Sequence, residues 1–169
     1  MNTDVQPEID WLDWLQRWDA QQEGYVPERE ARFAAMFDAL AELLPTSFVA
    51  LDLACGPGSI SQRLLARFPE ARAIAADIDP VMLAIGRGAL GTVGGRLRWI
   101  EADLASKDWV QALGEAQIDA VLSTPRSIGW SRNRWPVCTT TSVACCGPAA
   151  FSSTATTWPS AQRCRAWRA

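Results

Sequence analysis

Three carboxylates stand at spacings that could hold one ligand. Asp52 lies inside an otherwise apolar run, Val49-Ala50-Leu51-Asp52-Leu53, and Gly56 and Gly58 follow it closely. Asp77 closes a second apolar run, 19 residues after Gly58, and Asp103 follows a third. A carboxylate inside a strand is costly to bury unless it is hydrogen-bonded, so Asp52 is a functional or loop-organising candidate. Gly56 and Gly58 remove side chains where the backbone must turn sharply and come close to a ligand. A helix opening behind such a turn presents free N–H groups and the positive end of its dipole, which suits a negatively charged ligand group. Asp77 could accept hydrogen bonds from both hydroxyls of a ribose, and Asp103 from an exocyclic adenine amine. In this order the set implies an adenosine-containing ligand. Asp79 reads as a helix cap and Cys55 as a small buried residue.

The elements that must position these residues are strands alternating with helices. Phe48–Leu53 reads as a buried strand, and Ile60, Leu64, Leu65 and Phe68 follow at helical spacing. Arg72–Asp77 is a second strand, after which Asp79 caps a helix with Pro80 in its first turn. Gly91, Gly94 and Gly95 make a turn; Arg96–Glu101 is a third strand, Lys107–Leu113 a short helix and Ile118–Ser123 a fourth strand. This alternation predicts an α/β fold with right-handed crossovers, a parallel sheet and ligands at the carboxyl ends of the strands. Ahead of it, Trp11, Trp14, Leu15 and Trp18 share one helix face, and a second helix runs from about Pro27 to Leu44. These two helices are expected to cover one end of the sheet; in a sharper reading Tyr25, Arg29 or Arg32 reaches the ligand or lids the site. The expected organisation is a helical cap over 1–45, an α/β core over 46–124 and an aberrant basic tail over 125–169.

The core resembles the class I S-adenosylmethionine-dependent methyltransferases. Leu51-Asp52-Leu53-Ala54-Cys55-Gly56-Pro57-Gly58-Ser59 is similar to their first motif, with Ala54 where many members have glycine. Ala76-Asp77-Ile78-Asp79-Pro80-Val81-Met82-Leu83 is similar to the second, and Glu101-Ala102-Asp103-Leu104 to the third. The resemblance implies a Rossmann-like sheet in the order 3-2-1-4, with S-adenosylmethionine as cofactor and a small molecule as methyl acceptor. It implies that Asp52, Ala54 and the Gly56–Gly58 loop hold the methionine portion, and that Asp77 binds the ribose hydroxyls. It further implies Ile78 packed on the adenine, Asp103 at its amine and the Leu104 N–H at its ring. The reaction would be direct displacement of a methyl group, catalysed by positioning and without a metal. Two other readings compete: a nicotinamide-dependent oxidoreductase, and a non-catalytic remnant or binding module. Gly56-Pro57-Gly58-Ser59-Ile60-Ser61 speaks against the first, because Ser61 stands where the dinucleotide fingerprint needs glycine. No residue reads as a general base, and nothing indicates an oligomeric state.

Composition divides the chain. Its net charge is −3, yet residues 1–119 hold all 19 acids and 10 of the 16 bases, while residues 120–169 hold six arginines and no acid. Four of the five cysteines, Cys138, Cys145, Cys146 and Cys164, lie late, and histidine is absent. Adjacent cysteines without histidine do not match zinc-ligand spacing. The acidic core gives no reason to expect a nucleic-acid partner. No apolar run is long enough for a membrane span, and the acidic, polar start is unlike a signal peptide, so the cytoplasm is the expected location.

After Ser123 the helical and strand periodicity fades. A frameshift at Thr124-Pro125 accounts for the break. Read two bases on, compatible GC-rich codons for 125–160 encode a helix, a Pro-Gly-Gly turn and an apolar strand, which is what the family resemblance calls for there. On this reading the strand-four edge, built from Ile118, Ala120 and Leu122, lacks a neighbour and lies open. The cofactor half of the site is then written out, while turnover is slight. Sequencing the gene across codons 120–130 in an independent isolate, and in close relatives, is expected to find one extra base in the related genes; its absence from all of them overturns the frameshift.

Overall fold

The computed structural model describes residues 8–106, 109–114 and 117–123, together with the backbone of a strand at 142–145. Two helices come first. Helix α1 is Trp11–Tyr25, started by Asp10, whose carboxylate accepts from the Asp13 N–H. Helix α2 is Arg29–Leu43. It begins two residues after Pro27, because Glu28 adopts a left-handed conformation (φ 57°) that cannot belong to the helix. The core then runs β1 (Val49–Leu53), α3 (Ser59–Arg67), β2 (Arg72–Asp77), α4 (Pro80–Leu90), β3 (Leu97–Glu101), α5 (Trp109–Ala112) and β4 (Ala120–Ser123). A last strand, β5, is Ser142–Cys145.

The sheet order is β3-β2-β1-β4-β5. Strands β1 to β4 are parallel, as the sequence reading expects, and β5 runs antiparallel to β4. Register sets Asp52 beside Ala75 and Asp77 beside Glu101, so the carboxyl ends of β1, β2 and β3 lie level. Asp79 caps α4 as expected, accepting from the N–H groups of Val81 and Met82.

Strand alternation divides the core into two layers. Ala50, Ala73, Ala75, Leu97, Ala120 and Leu122 face one side, against α2, α3 and α4. Leu51, Ile74, Ala76, Ile100 and Val121 face the other, against Trp109, Leu113 and Ile118. On the first side Phe37 and Phe48 both meet the Phe68 ring edge-on, which locks α2 to the end of α3.

Two expectations are corrected. The outer edge of strand four is not open: β5 pairs with it from Ala120 to Ser123, and the antiparallel ladder takes up the N–H and C=O groups of that edge. A four-residue strand is too short for its alternation to show in the sequence. The four-residue apolar stripe of α1 is also too wide. Leu15 is buried, but Trp14 is 51% exposed, with the Arg17 guanidinium 5.8 Å from its ring centre. The rest of 124–169 lies outside the described residues.

Leu64 is fully buried between α3 and the sheet. Replacing it with alanine is expected to cost about 2–5 kcal/mol, read as a lower midpoint in denaturant unfolding; an unchanged midpoint contradicts this packing.

Candidate functional site

The residues singled out from the sequence converge on one end of the sheet, where β1 and β2 run out and a tight loop leads into α3. Ala54 (φ 55°), Gly56 (φ 56°) and Gly58 (φ 86°) are all left-handed. Glycine accepts that conformation freely, whereas Ala54 holds it at a cost of roughly 1–2 kcal/mol. The turn closes with the Gly58 N–H on the Cys55 carbonyl, 3.0 Å, and is tied to the sheet by the Cys55 N–H on the Ala76 carbonyl, 3.1 Å. Gly58 is also a point of close approach, since an added Cβ would stand 2.5 Å from the Trp99 ring on β3.

Four polar donors of this loop and the first turn of α3 meet a carboxylate of the chain itself. The Gly56 N–H donates to Asp77, 2.7 Å. The Ser61 N–H and hydroxyl both donate to Asp52 Oδ2, at 3.2 and 2.8 Å. The Ser59 hydroxyl donates to Asp19 of α1, 2.6 Å. The other oxygen of Asp77 accepts from the Asp79 N–H, 2.9 Å, and the Asp77 carbonyl accepts from the Ala102 N–H, which holds the ends of β2 and β3 together. None of the ion pairs among the described residues involves Asp52, Asp77 or Asp103.

Asp52 is 2% exposed, so it acts from behind the loop through Ser61. Its Oδ1 is buried and has no hydrogen-bond partner among the described residues. Burial pushes this carboxyl up to about 7; the two bonds from Ser61 oppose the rise and the nearby Asp77 charge adds to it. Burial likewise raises the Cys55 thiol, with Asp52 and Asp77 adding to the effect, so the sulfur stays a neutral thiol and not a nucleophile.

Ile78, just past Asp77, is 58% exposed, an apolar surface at the rim of the loop. Asp103 is exposed two residues past β3, and its carboxylate accepts from the Ala105 N–H, 2.8 Å. Leu104 packs against the second core layer. The structure thus gathers Asp52, Ala54, Gly56, Gly58 and Asp77 into one loop, with Ile78, Asp103 and Leu104 along the same edge. Among the described residues no cluster of three metal-ligating side chains occurs, and no helix is long and apolar enough to cross a membrane.

Sequence reasoning missed three residues here. Ser61 is a buried polar residue amid the apolar face of α3, and that mismatch was its signal. Asp19 and Trp18 come from α1, and only tertiary packing brings them to the loop. Of the residues the sequence favoured on these helices, Tyr25 and Arg32 are exposed, and Arg29 is buried in an ion pair with Asp19, 3.0 Å.

A methyltransferase-domain family matches residues 50–140 of the chain, a stretch that runs on past Thr124. The trans-aconitate 2-methyltransferase of Azoarcus sp. (strain BH72) is 35% identical over 107 residues, 63% of this chain and 38% of that protein. The release factor glutamine methyltransferase of Cereibacter sphaeroides is 37% identical over 99 residues, 59% of this chain and 32% of that protein. The chain therefore spans about a third to two-fifths of the length of these curated relatives. An S-adenosylmethionine-dependent methyltransferase from Clostridium acetobutylicum ATCC 824 aligns in three dimensions with a TM-score of 0.50 at 18% identity, covering 66% of this chain and 42% of that one, which shows a shared fold.

The raised Asp52 carboxyl makes a prediction with a definite sign. Between its unfolded value of 3.8 and about 7, the folded state binds the extra proton, so Asp52 lowers stability as pH rises through that window. Stability measured by urea unfolding at pH 5 and pH 8 is expected to shift in favour of Asp52→Asn over the original chain by on the order of 2–3 kcal/mol. An equal gap at both pH values means that Asp52 does not titrate there.

Proposed function

Because the chain belongs to the methyltransferase-domain family, we propose that its glycine loop binds S-adenosylmethionine and that the protein transfers the methyl group to a small-molecule acceptor. The observation that carries this reading is the sign of the charge around the loop. The Gly56 N–H is taken by Asp77, the Ser59 hydroxyl by Asp19 and both donors of Ser61 by Asp52. A pyrophosphate seated on the Gly56 N–H would displace Asp77 and remain beside it, a repulsion on the order of 4 kcal/mol for two unit charges about 4 Å apart in a medium of effective dielectric about 20. A ligand carrying a sulfonium and an ammonium group is attracted by the same Asp77 carboxylate, which has no ion pair among the described residues.

On this reading the Asp77 oxygens, each with an acceptor site left after bonding one N–H, take the ribose hydroxyls. The exposed Ile78 side chain covers the adenine, the Asp103 carboxylate meets its amine, and the Leu104 N–H meets its ring. Asp52 sets the loop through Ser61 while Ala54, Gly56 and Gly58 border the methionine portion. When bound, the cofactor supplies an electrophilic methyl carbon whose sulfur leaves as a neutral thioether. The contribution of the protein is to hold that carbon in line with the acceptor.

The acceptor is read from the relatives. A carboxylic acid such as trans-aconitate is the first compound to test, and a protein glutamine the second, following the two relatives named above. The composition break after Thr124 belongs to the same proposal: a change of frame there removed acceptor-binding residues, so transfer from this chain is slow and a frame-restored chain is faster.

Calorimetric titration with S-adenosylmethionine and with NAD tests the core of the reading. S-adenosylmethionine is expected to bind and NAD not to, and Asp77→Ala is expected to weaken S-adenosylmethionine by at least about tenfold, since it removes charged hydrogen bonds worth roughly 1.5–3 kcal/mol. NAD binding without S-adenosylmethionine binding overturns the proposal.

A further inference from the structure

Helix α1 is built into the glycine loop by two consecutive residues. The Trp18 ring lies against Gly56: a Cβ added there would sit 3.6 Å from the ring carbon Cζ2 and 3.9 Å from Nε1. Asp19 is fixed on the first turn of α3 by the Ser59 hydroxyl at 2.6 Å, and by Arg29 and Arg63 at 3.0 and 3.1 Å. Arg63 also reaches Glu30 of α2 at 2.8 Å, so the clamp spans three helices. At the other end of α1, Trp11 packs on Gly88 of α4, against the bare backbone of that helix. The Trp18 indole is therefore held in place over the loop.

This placement has a chemical sense. Trp18 is only partly buried, so part of its ring is open to a ligand on the loop. The Trp18 indole makes no hydrogen bond among the described residues, and the loop beside it is lined by Asp77 and backed by Asp52. An aromatic surface next to the Asp77 carboxylate, which has no ion pair among the described residues, is a setting for a cation: the ring quadrupole attracts positive charge, the more so where water is displaced.

We propose that Trp18 is a specificity residue of the cofactor site, whose indole face favours the positively charged sulfonium of S-adenosylmethionine over the uncharged thioether left after transfer. The inference rests on the proposed function and goes beyond it. It assigns to the N-terminal helix a part in the discrimination between cofactor and spent product, which the ribose and adenine contacts cannot make, because both molecules share those parts. Favouring the charged form also speeds exchange of product for fresh cofactor.

The test is calorimetric titration of the full chain and of its Trp18→Phe and Trp18→Met variants with S-adenosylmethionine and with S-adenosylhomocysteine. Trp18→Phe is expected to keep both affinities within about threefold. Trp18→Met, which keeps bulk without a ring, is expected to weaken S-adenosylmethionine by about tenfold and S-adenosylhomocysteine by less than about threefold, the difference corresponding to a partly desolvated cation–π contact. The quantity read is the ratio of the two affinities within one variant. A partly unfolded variant lowers both by the same factor and leaves the ratio intact. A ratio unchanged in Trp18→Met overturns the proposal and makes Trp18 a structural wall. If the unaltered chain binds neither molecule, the functional reading itself fails, an outcome distinct from an unchanged ratio.

Discussion

The constraint on which this site depends is the pairing of a glycine loop's donors with the chain's own carboxylates. The backbone between β1 and α3 would otherwise leave N–H and hydroxyl donors open, and each unsatisfied buried donor costs about 1–3 kcal/mol. Asp77 takes the Gly56 N–H, Asp52 takes both donors of Ser61, and Asp19 takes the Ser59 hydroxyl. The arrangement stiffens the loop without a ligand. It also turns an anion-receptive backbone into a surface that favours positive charge. The left-handed Ala54 is held by the same web, between the last residue of β1 and the Cys55–Ala76 bond.

The second layer of organisation is the charge cluster linking the two N-terminal helices to α3. Arg29 is buried with Asp19, and Arg63 joins Asp19 to Glu30 while lying 5.5 Å from the Phe33 ring centre. A buried ion pair of this kind is weak evidence for stability, since the desolvation of both partners offsets their attraction. What it supplies is a fixed geometry: Asp19 can meet Ser59 only if α1 lies at one angle across α3. The helices over residues 11–43 are therefore tied to the glycine loop and the first turn of α3 as well as covering the sheet.

How much of this was legible depended on the range of the interaction. The strands, the helix caps and the order of the three motifs are local, and period, turn residues and capping chemistry write local structure directly into the sequence. Asp52 could be marked as anomalous because a charge inside an apolar strand breaks a local rule. Its partner Ser61, nine residues on, could be marked only as a polar residue on the apolar face of α3; that it pairs with Asp52 is a contact between two elements that no local rule writes into the sequence. Trp14, Trp18 and Trp11 share a face by spacing, yet Trp11 packs on Gly88 and Trp18 on Gly56 while Trp14 stays exposed. The β4 edge was misjudged for a related reason. Pairing with 142–145 is a contact between segments about twenty residues apart, and four residues hold no periodicity to announce it.

The sequence alone therefore determined the fold class and the positions of Asp52, Gly56, Gly58, Asp77 and Asp103, because hydrophobic period and turn chemistry act between near neighbours; the strand order of the core followed from the family resemblance. The tertiary structure alone decided the surroundings of those residues. It buried Asp52 and raised its carboxyl, bonded four donors of the loop to acids and set Trp18 on Gly56. Burial, charge and contact at this site come from elements far apart in the chain, and their energies exist only once the elements have packed.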